Sequence, residues 1–316
     1  MKQRIVLAGG SGFLGGVLAK YFTGLEWEVV VLTRSPRPRS DGVREVGWDA
    51  RTLGKWIHEI DGATALVNLT GRSVNCRYTA KNRCEIMESR VDSTRVLGEA
   101  IAQCAKPPGV WLNSSTATIY QHTFGQAHED SSCEMKATPE AKDAFSVDVA
   151  QAWERALSEA ATPRTRKVAL RLSMVLGLGH NSVFPVLRRL TRLGLGGKQG
   201  SGKQFVSWIH EEDFCRAIEW IILHEGLAGA VNVCGPNPLP NAEMMKSFRE
   251  ICEASIGLPA TEWMLEIGAF FLRTETELIF KSRRVVPRRL LESGFAYRFS
   301  YFHDAIQDLL RKETVS

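Results

Sequence analysis

The sequence predicts an α/β fold: a doubly wound parallel sheet followed by a smaller C-terminal part. Three observations carry this reading. Short apolar runs suited to strands buried on both faces alternate with helical stripes up to residue 172. A glycine cluster follows the first run at once, which requires a sharp turn there. Alternation this regular implies right-handed βαβ crossovers and a sheet covered on both sides.

Ile5 to Ala8 is the first strand. Gly9, Gly12 and Gly15 then fit G-x-x-G-x-x-G, while Gly10, Gly12 and Gly15 fit G-x-G-x-x-G, so spacing leaves the subtype open. Either arrangement, with Ser11 inside it, lets a pyrophosphate approach backbone N–H groups at the start of a helix, whose dipole favours an anion. Phe13, Leu14, Val17, Leu18 and Tyr21 give that helix its apolar face. A strand before and a helix after make the loop a dinucleotide site rather than a bare turn.

Val29 to Thr33 is the second strand, and its end is where such a fold inspects the adenosine ribose. An NAD-binding chain offers Asp or Glu there; this one offers Thr33, Arg34 and Ser35, with Arg37 and Arg39 close behind. Arg34 would pair with a 2′-phosphate that a carboxylate would repel, so NADP(H) is favoured over NAD(H). The competing reading is a surface arginine in a Pro-rich turn.

Glu45 to Trp48 reads as the third strand, Leu53 to Ile60 as a short helix, and Ala65 to Leu69 as the fourth strand, ending in Asn68-Leu-Thr-Gly71 at the cofactor edge. A long helix follows with Met87, Val91, Thr94, Leu97 and Ile101 on one stripe. Glu85 and Arg90 near its start read, as bare charges, as a solvated face. The fifth strand, Val110 to Ser114, runs into Ser114-Ser-Thr-Ala-Thr-Ile-Tyr120, which crowds hydroxyls where reacting atoms would sit. A helix from about Asp143 to Ala160 and a sixth strand, Lys167 to Leu172, complete the alternation.

Beyond Gly177 the pattern loosens. Gly197 to Lys203 fits G-x-x-x-x-G-K, but Gln204 replaces the Ser/Thr that would hold magnesium, and Phe205 to Ile209 alternates like a strand where a P-loop needs a helix. We therefore expect Gly194 to Gln204 to be a mobile loop at the substrate mouth, with Lys198 in the substrate pocket. Helices are expected at Asp213 to Leu223, Asn241 to Ile256, Trp263 to Arg273 and Phe302 to Leu310. His210, at a strand-to-helix junction, is open to a pocket role and equally to capping or packing. His122 and His128 beside Glu129 lack metal-ligand spacing, so no metal is expected.

With 44% hydrophobic and 24% charged residues the composition is that of an ordinary soluble globular protein. The net charge of +5 is mild and spread along the chain, which argues against a nucleic-acid partner. The basic run Lys281 to Arg289 reads as a solvated face. Seven cysteines, an odd number without a C-x-x-C pair, point to free thiols in a reducing compartment. A strand beginning directly after Met1 and apolar segments too short for a membrane span lead us to expect a cytoplasmic protein. The expected partner is a small-molecule substrate, with no membrane and with oligomers possible.

Taken together, Gly9-Gly-Ser-Gly-Phe-Leu-Gly15, Asn68-Leu-Thr-Gly71, Ser114-Ser-Thr-Ala-Thr-Ile-Tyr120 and Ser207-Trp-Ile-His210 resemble the extended short-chain dehydrogenase/reductase superfamily. The chain is most similar to the atypical branch called epimerase family proteins, including that branch's tail in Pro287-Arg-Arg-Leu-Leu-Glu-Ser-Gly-Phe295. The resemblance implies a Rossmann-type NADP-binding domain, residues 1–176 with returning segments near 205–234. A smaller substrate-binding and C-terminal part would comprise 177–204 and 235–316. It also implies cofactor contacts from the glycine loop, Thr33, Arg34, Ser35, Leu69, Thr70, Gly71, Ser114, Met174 and Val175, and lifts Glu85 and Arg90 into the same set.

One departure matters. Competent members use Tyr-x-x-x-Lys on the helix after strand five, the lysine lowering the tyrosine pKa so that a phenolate exchanges a proton with the substrate hydroxyl. Counting back from Trp153-Glu154 puts Ser146 at the tyrosine position and Ala150 at the lysine position. Thr116 matches the assisting hydroxyl. Tyr120 is a candidate substitute acid/base, although without a lysine its pKa would stay near ~10, and packing is its competing role. The expected function is an NADP(H)-binding oxidoreductase-like or epimerase-like protein acting on a small polar substrate, for example a sugar nucleotide. The rival is a non-catalytic NADP(H) redox sensor.

Overall fold

The computed structural model describes residues 2–179, 181–265, 275 and 277–315. Its centre is a seven-stranded parallel sheet built from β1 (Arg4–Ala8), β2 (Glu28–Thr33), β3 (Arg44–Gly47), β4 (Ala65–Asn68), β5 (Val110–Thr116), β6 (Arg166–Leu172) and a later strand, Gly229–Val233. Between β6 and that strand run β7 (Met174–Leu176), β8 (Phe205–Val206) and β9 (Trp208–His210), which makes Gly229–Val233 β10; β11 (Leu239–Pro240) follows. The sheet order is β10-β6-β5-β4-β1-β2-β3, and every pairing within it is parallel. Because β1 pairs with both β2 and β4, the winding reverses beside β1, the place where doubly wound folds bind ligands beyond the carboxyl ends of the strands.

The helices are α1 (Phe13–Gly24), α2 (Ile57–Ile60), α3 (Ala80–Gln103), α4 (Ala144–Glu159), α5 (Val183–Leu190), α6 (Glu211–Leu223), α7 (Asn241–Ile251), α8 (Glu277–Phe280), α9 (Arg288–Glu292) and α10 (Phe302–Val315). Alternate residues of each strand feed two cores. Ile5, Leu7, Val29 and Val31 pack under α1 and α6, while Val6, Val30 and Leu66 pack under α3. Both faces are buried, so the strands read as unbroken apolar runs rather than as alternation. A third core joins α5, α7, α10 and β9 through Phe184, Phe248, Ile306 and Trp208.

Several element boundaries differ from the sequence reading. The helix expected from Leu53 begins only at Ile57, because Asp49 accepts the backbone N–H groups of Arg51 and Thr52 and the Thr52 hydroxyl, holding residues 49–52 in a turn. On α3 the buried stripe runs through Ile86, Ser93, Val96 and Ala100 as well as Thr94, Leu97 and Ile101, leaving Met87 and Val91 half-buried. The helix from Asn241 stops at Ile251, shortly before Glu253 takes a positive φ of 52°. The last helix runs on to Val315. Of the helix expected from Trp263 to Arg273, residues 262–265 are helical and residues 266–273 lie outside the described residues.

Two segments beyond β7 bear on the sequence reading. The glycine-rich segment is laced to the chain beyond α7: Gly197 and Gly200 donate to the carbonyls of Leu258 and Ala260, and Ala260 N–H returns to Lys198. Apart from the exposed Arg288, the basic run is not a solvated face. Lys281 is buried in an ion pair with Asp143, Arg284 lies over the Phe205 ring at 4.4 Å, Arg288 pairs with Glu129, and Arg289 donates to the carbonyls of Ala228 and Ala230.

Candidate functional site

The glycine loop joins β1 to α1, and three of its glycines are required for different reasons. Gly9 has φ of 70°, and a Cβ on it would fall 2.6 Å from Thr70 Oγ1. A Cβ on Gly15 would fall 2.2 Å from the Gly10 carbonyl oxygen, so α1 packs directly on the loop. Gly12 differs: nothing lies within 4 Å of its Cβ position. It caps α1 without any side-chain hydrogen bond, and the first turn of α1 carries no acidic residue. No side chain therefore caps this helix end, whose dipole favours an anion. Ser11 beside it is exposed, Leu14 packs on the core, and the Phe13 ring lies over Gly177 and Gly179, where a Cβ would meet it at 2.6 and 2.4 Å.

Several of the expected cofactor residues lie at or near the strand ends. Thr70 Oγ1 and Ser114 Oγ are buried hydroxyls without a hydrogen-bond partner among the described residues, the state expected of groups that await a ligand. Leu69 N–H donates to Ala8 at 2.8 Å, tying β4 to the loop. At the end of β2, Thr33 is buried while Arg34 and Ser35 are exposed. Arg39 is taken up by Asp41 and Glu45, but no carboxylate among the described residues pairs with Arg34. Met174 and Val175 pair with Trp208 and Ile209 of β9. Glu85 is engaged by Arg72, with Lys81 at 3.9 Å.

A cavity of about 120 Å³ opens between α3, α4 and the end of β5, lined by Tyr78, Arg90, Thr116, Thr118, Ser146 and Trp153 among others. Arg90 lies over the Trp153 ring at 5.1 Å, packs against Gly71, and donates to the carbonyls of Arg72 and Ile86. No carboxylate among the described residues pairs with it. Burial pulls its pKa down to about 10, so it stays cationic at neutral pH and offers the cavity an anion-binding wall. Thr116 Oγ1 accepts Thr118 N–H at 3.1 Å and shapes the turn Ala117–Ile119. Ser146 Oγ donates to Glu277 Oε2 at 2.9 Å, while Ala150 is buried among Ile119 and Tyr120.

Other expected residues lie elsewhere. Tyr120 is sealed in the core: its hydroxyl donates to Asn232 Oδ1 at 2.8 Å and accepts from Arg171 at 2.8 Å, and its ring stacks on His128. Burial pushes its pKa up to about 12, against the pull of Arg171, so this environment opposes acid/base work near neutral pH. His210 is fully buried, Nδ1 accepting Glu212 N–H to cap α6 and the ring lying 4.0 Å from that of Phe299. Lys198 is exposed and does not line the cavity. His122 Nδ1 accepts Ser282 N–H at 2.9 Å. Tyr78 and Glu277 were not singled out by sequence, since neither sits in a periodic stretch or a motif.

A family model described as the NAD dependent epimerase/dehydratase family matches residues 5–234, and a domain of unknown function, DUF1731, matches residues 260–309. The chain is 27% identical to the epimerase family protein YfhF of Bacillus subtilis over 98% of both chains. It is also 27% identical to the epimerase family protein SDR39U1 of Bos taurus, covering 98% of this chain and all of that one. Among solved structures, human SDR39U1 crystallised with NADPH superposes with a TM-score of 0.84 at 26% identity, covering 98% of this chain and 99% of that one.

Proposed function

The chain belongs to the NAD dependent epimerase/dehydratase family, and from that premise we propose that it binds NADP(H) in the crevice beside β1 and acts on a small polar substrate, as an oxidoreductase-like or epimerase-like enzyme. One observation carries the proposal. The start of α1 at Gly12 carries no side-chain cap, the Gly9 turn before it packs on Thr70, and Thr70 and Ser114, just beyond β4 and on β5, have buried hydroxyls without a hydrogen-bond partner among the described residues. Gly9 to Gly15, Leu69, Thr70, Gly71, Ser114, Met174 and Val175 would hold the dinucleotide, and Thr33, Arg34 and Ser35 its adenosine end. Arg34, which pairs with no carboxylate among the described residues, favours a 2′-phosphate, in keeping with the NADPH bound by the human relative. Bound NADP(H) supplies a hydride donor or acceptor. Residues 1–176 with 205–234 would form the cofactor part, and 177–204 with 235–316 the substrate part.

At the cavity Arg90 would neutralise an anionic group of the substrate, and Thr116 would hydrogen-bond the reacting oxygen through its hydroxyl. Seven free cysteines agree with a reducing, cytoplasmic setting. Ser146 and Ala150, at the positions where relatives with Tyr-x-x-x-Lys carry that pair, favour a second reading, a non-catalytic NADP(H) sensor.

Fluorescence titration with NADPH and NADH tests the cofactor. Arg34→Ala should weaken NADPH by roughly 10- to 100-fold, the worth of a charge-assisted pair, and leave NADH within about twofold. Equal weakening of both would remove the 2′-phosphate role, and no binding of either would overturn the function. Incubation with NADPH and a panel of carbonyl compounds and sugar nucleotides separates enzyme from sensor: tight binding without turnover supports the sensor.

A further inference from the structure

We propose that the cavity between α3, α4 and the end of β5 takes a short 2-oxo or 2-hydroxy monocarboxylate, whose carboxylate is gripped by Arg90. The inference rests on the enzymatic reading above and names its substrate class. Arg90 is fixed on three sides. Its Nη1 donates to the carbonyls of Arg72 and Ile86 at 3.1 and 3.0 Å, its guanidinium lies over the Trp153 ring at 5.1 Å, and Gly71 is so near that a Cβ there would fall 3.0 Å from Cζ. What remains is the Nε and Nη2 edge, which makes no hydrogen bond to a described residue. These are the parallel donors with which a guanidinium holds a carboxylate in a bidentate grip, and a guanidinium already fixed loses little rotamer freedom in doing so.

The charge of that edge is not cancelled at the cavity. Among the described residues that line it, Arg90 alone is charged. The carboxylate of Glu277 stands behind Ser146, whose hydroxyl donates to it at 2.9 Å, but Arg283 and Lys281 act on that carboxylate with opposite charge. A cation shielded from water and held only by carbonyls and a ring is costly, and an anion that enters beside it offsets the cost.

Volume and lining define the rest of the ligand. The cavity measures about 120 Å³, room for about four waters at ~30 Å³ each, whereas pockets for drug-sized ligands begin at roughly 300 Å³. A whole sugar nucleotide exceeds it. Val74, Ile86 and Val149 contribute aliphatic walls, so beyond its carboxylate the ligand carries a short apolar chain, and a second charge would find no partner. Thr116 belongs to the same lining. Its Oγ1 accepts Thr118 N–H at 3.1 Å, which leaves its O–H to donate to an oxygen of the ligand. A cavity this small keeps that oxygen close to the carboxylate, which is the spacing of a 2-oxo acid and of its 2-hydroxy counterpart.

Calorimetric titration of the full chain tests the assignment, with and without saturating oxidised NADP, in whose presence 2-oxo acids are not turned over. The probes are pyruvate, 2-oxobutyrate, 2-oxohexanoate and 2-oxooctanoate, with inorganic phosphate and UDP-glucose as competing anions. Pyruvate and 2-oxobutyrate should bind, and 2-oxooctanoate at least about tenfold more weakly. Arg90→Gln should weaken 2-oxobutyrate by roughly 10- to 100-fold, and Arg90→Lys by less, because lysine keeps the charge without the bidentate grip. Affinity for NADPH should stay within about twofold in both. Val149→Ala should move the preference toward longer acids, a change of selectivity that a general loss of stability does not produce. Thermal melting checks the fold of each variant, and if Arg90→Gln does not fold, Arg90→Lys and Val149→Ala carry the test. Four results overturn the inference: short acids that bind under neither condition, acid binding indifferent to Arg90, a loss of NADPH affinity in Arg90→Gln of about tenfold or more, or phosphate or UDP-glucose binding as tightly as the best acid. A wild-type chain that binds the acids but not NADPH sinks the functional reading and leaves the carboxylate site standing, whereas NADPH binding without acid binding sinks this inference alone.

Discussion

Arg171 on β6 and Glu154 on α4 meet fork to fork, Nε to Oε1 and Nη2 to Oε2, both at 2.8 Å. Ser115 adds a 2.6 Å bond to the same Oε1, and the remaining Arg171 nitrogen reaches the Tyr120 hydroxyl. The pair thus joins sheet, helix and the loop after β5. Glu154→Gln leaves the guanidinium, 4% exposed, without a counter-charge, so stability by urea denaturation should fall by about 3 kcal/mol. Replacing both residues by leucine and methionine should recover most of that. A loss below about 1 kcal/mol in the single variant would show that the pair is solvated after all.

The two glycines of the nucleotide loop should separate folding from binding. Gly12→Ala adds a methyl group into open space at an ordinary φ of −85°, so stability should change by less than about 1 kcal/mol while NADPH binding weakens at least about tenfold. Gly15→Ala drives a methyl into the Gly10 carbonyl and should lower the melting temperature as well, with a cost of about 1–3 kcal/mol from overpacking. Melting curves and fluorescence titrations on both variants check this. Unchanged NADPH binding in Gly12→Ala would remove the loop from the cofactor site.

These contrasts also explain what the sequence could disclose. The strand, loop and first helix were legible because Ile5 to Ala8 is apolar on both faces and the glycines carry a spacing. β10 was not, since Gly229-Ala-Val-Asn-Val233 is short and joins the sheet beside β6, 61 residues earlier at each paired position. Tyr78 lies in irregular chain, where no period marks an inward side chain. Glu277 is defined by a hydroxyl 131 residues away. The run from Lys281 to Arg289 misled because charge density suggests solvent, whereas Asp143, Glu129 and the carbonyls of Ala228 and Ala230 supply partners that only the fold brings near. His210 looked equally like a cap and a pocket residue; the fold sets its Nδ1 on Glu212 N–H and its Nε2 3.2 Å from Asp308 Oδ2.

That buried histidine should make the protein acid-sensitive. Burial holds its pKa down to about 4, with Lys312 acting in the same direction and Asp308 and Glu212 opposing it. An unfolded chain binds the proton near pH ~6.5, but the folded chain does not until about pH 4. The stabilisation from the neutral ring is therefore complete above ~6.5 and is lost as pH falls toward 4, about 3 kcal/mol over the window. His210→Asn keeps an acceptor for the helix cap and removes the titration. Between pH 6.5 and 5 the wild-type chain should lose about 2 kcal/mol more than the variant in urea unfolding. Parallel curves would mean that the ring is hydrated in solution.

Lys281 pairs with Asp143 where neither side chain is exposed, and its Nζ also donates to the Thr118 carbonyl at 2.5 Å. Burial lowers the lysine pKa, and Asp143, with a smaller contribution from Glu277, opposes that shift. Asp143→Ala should cost about 3–5 kcal/mol, since it strands a buried charge, whereas joint replacement by Asp143→Leu and Lys281→Met should cost far less. The pair also acts as a strut. Lys281 lies one helical turn beyond Glu277, whose carbonyl accepts its N–H at 3.1 Å, and Thr118 lines the cavity. Any displacement of this segment must therefore carry the Glu277 carboxylate away from Ser146. In the double variant the fold should survive, while infrared titration of the Glu277 carboxyl band, assigned by Glu277→Gln, should show no response to Ser146→Ala. A retained response there would show that α8 is positioned by its remaining contacts and that the buried pair contributes stability alone.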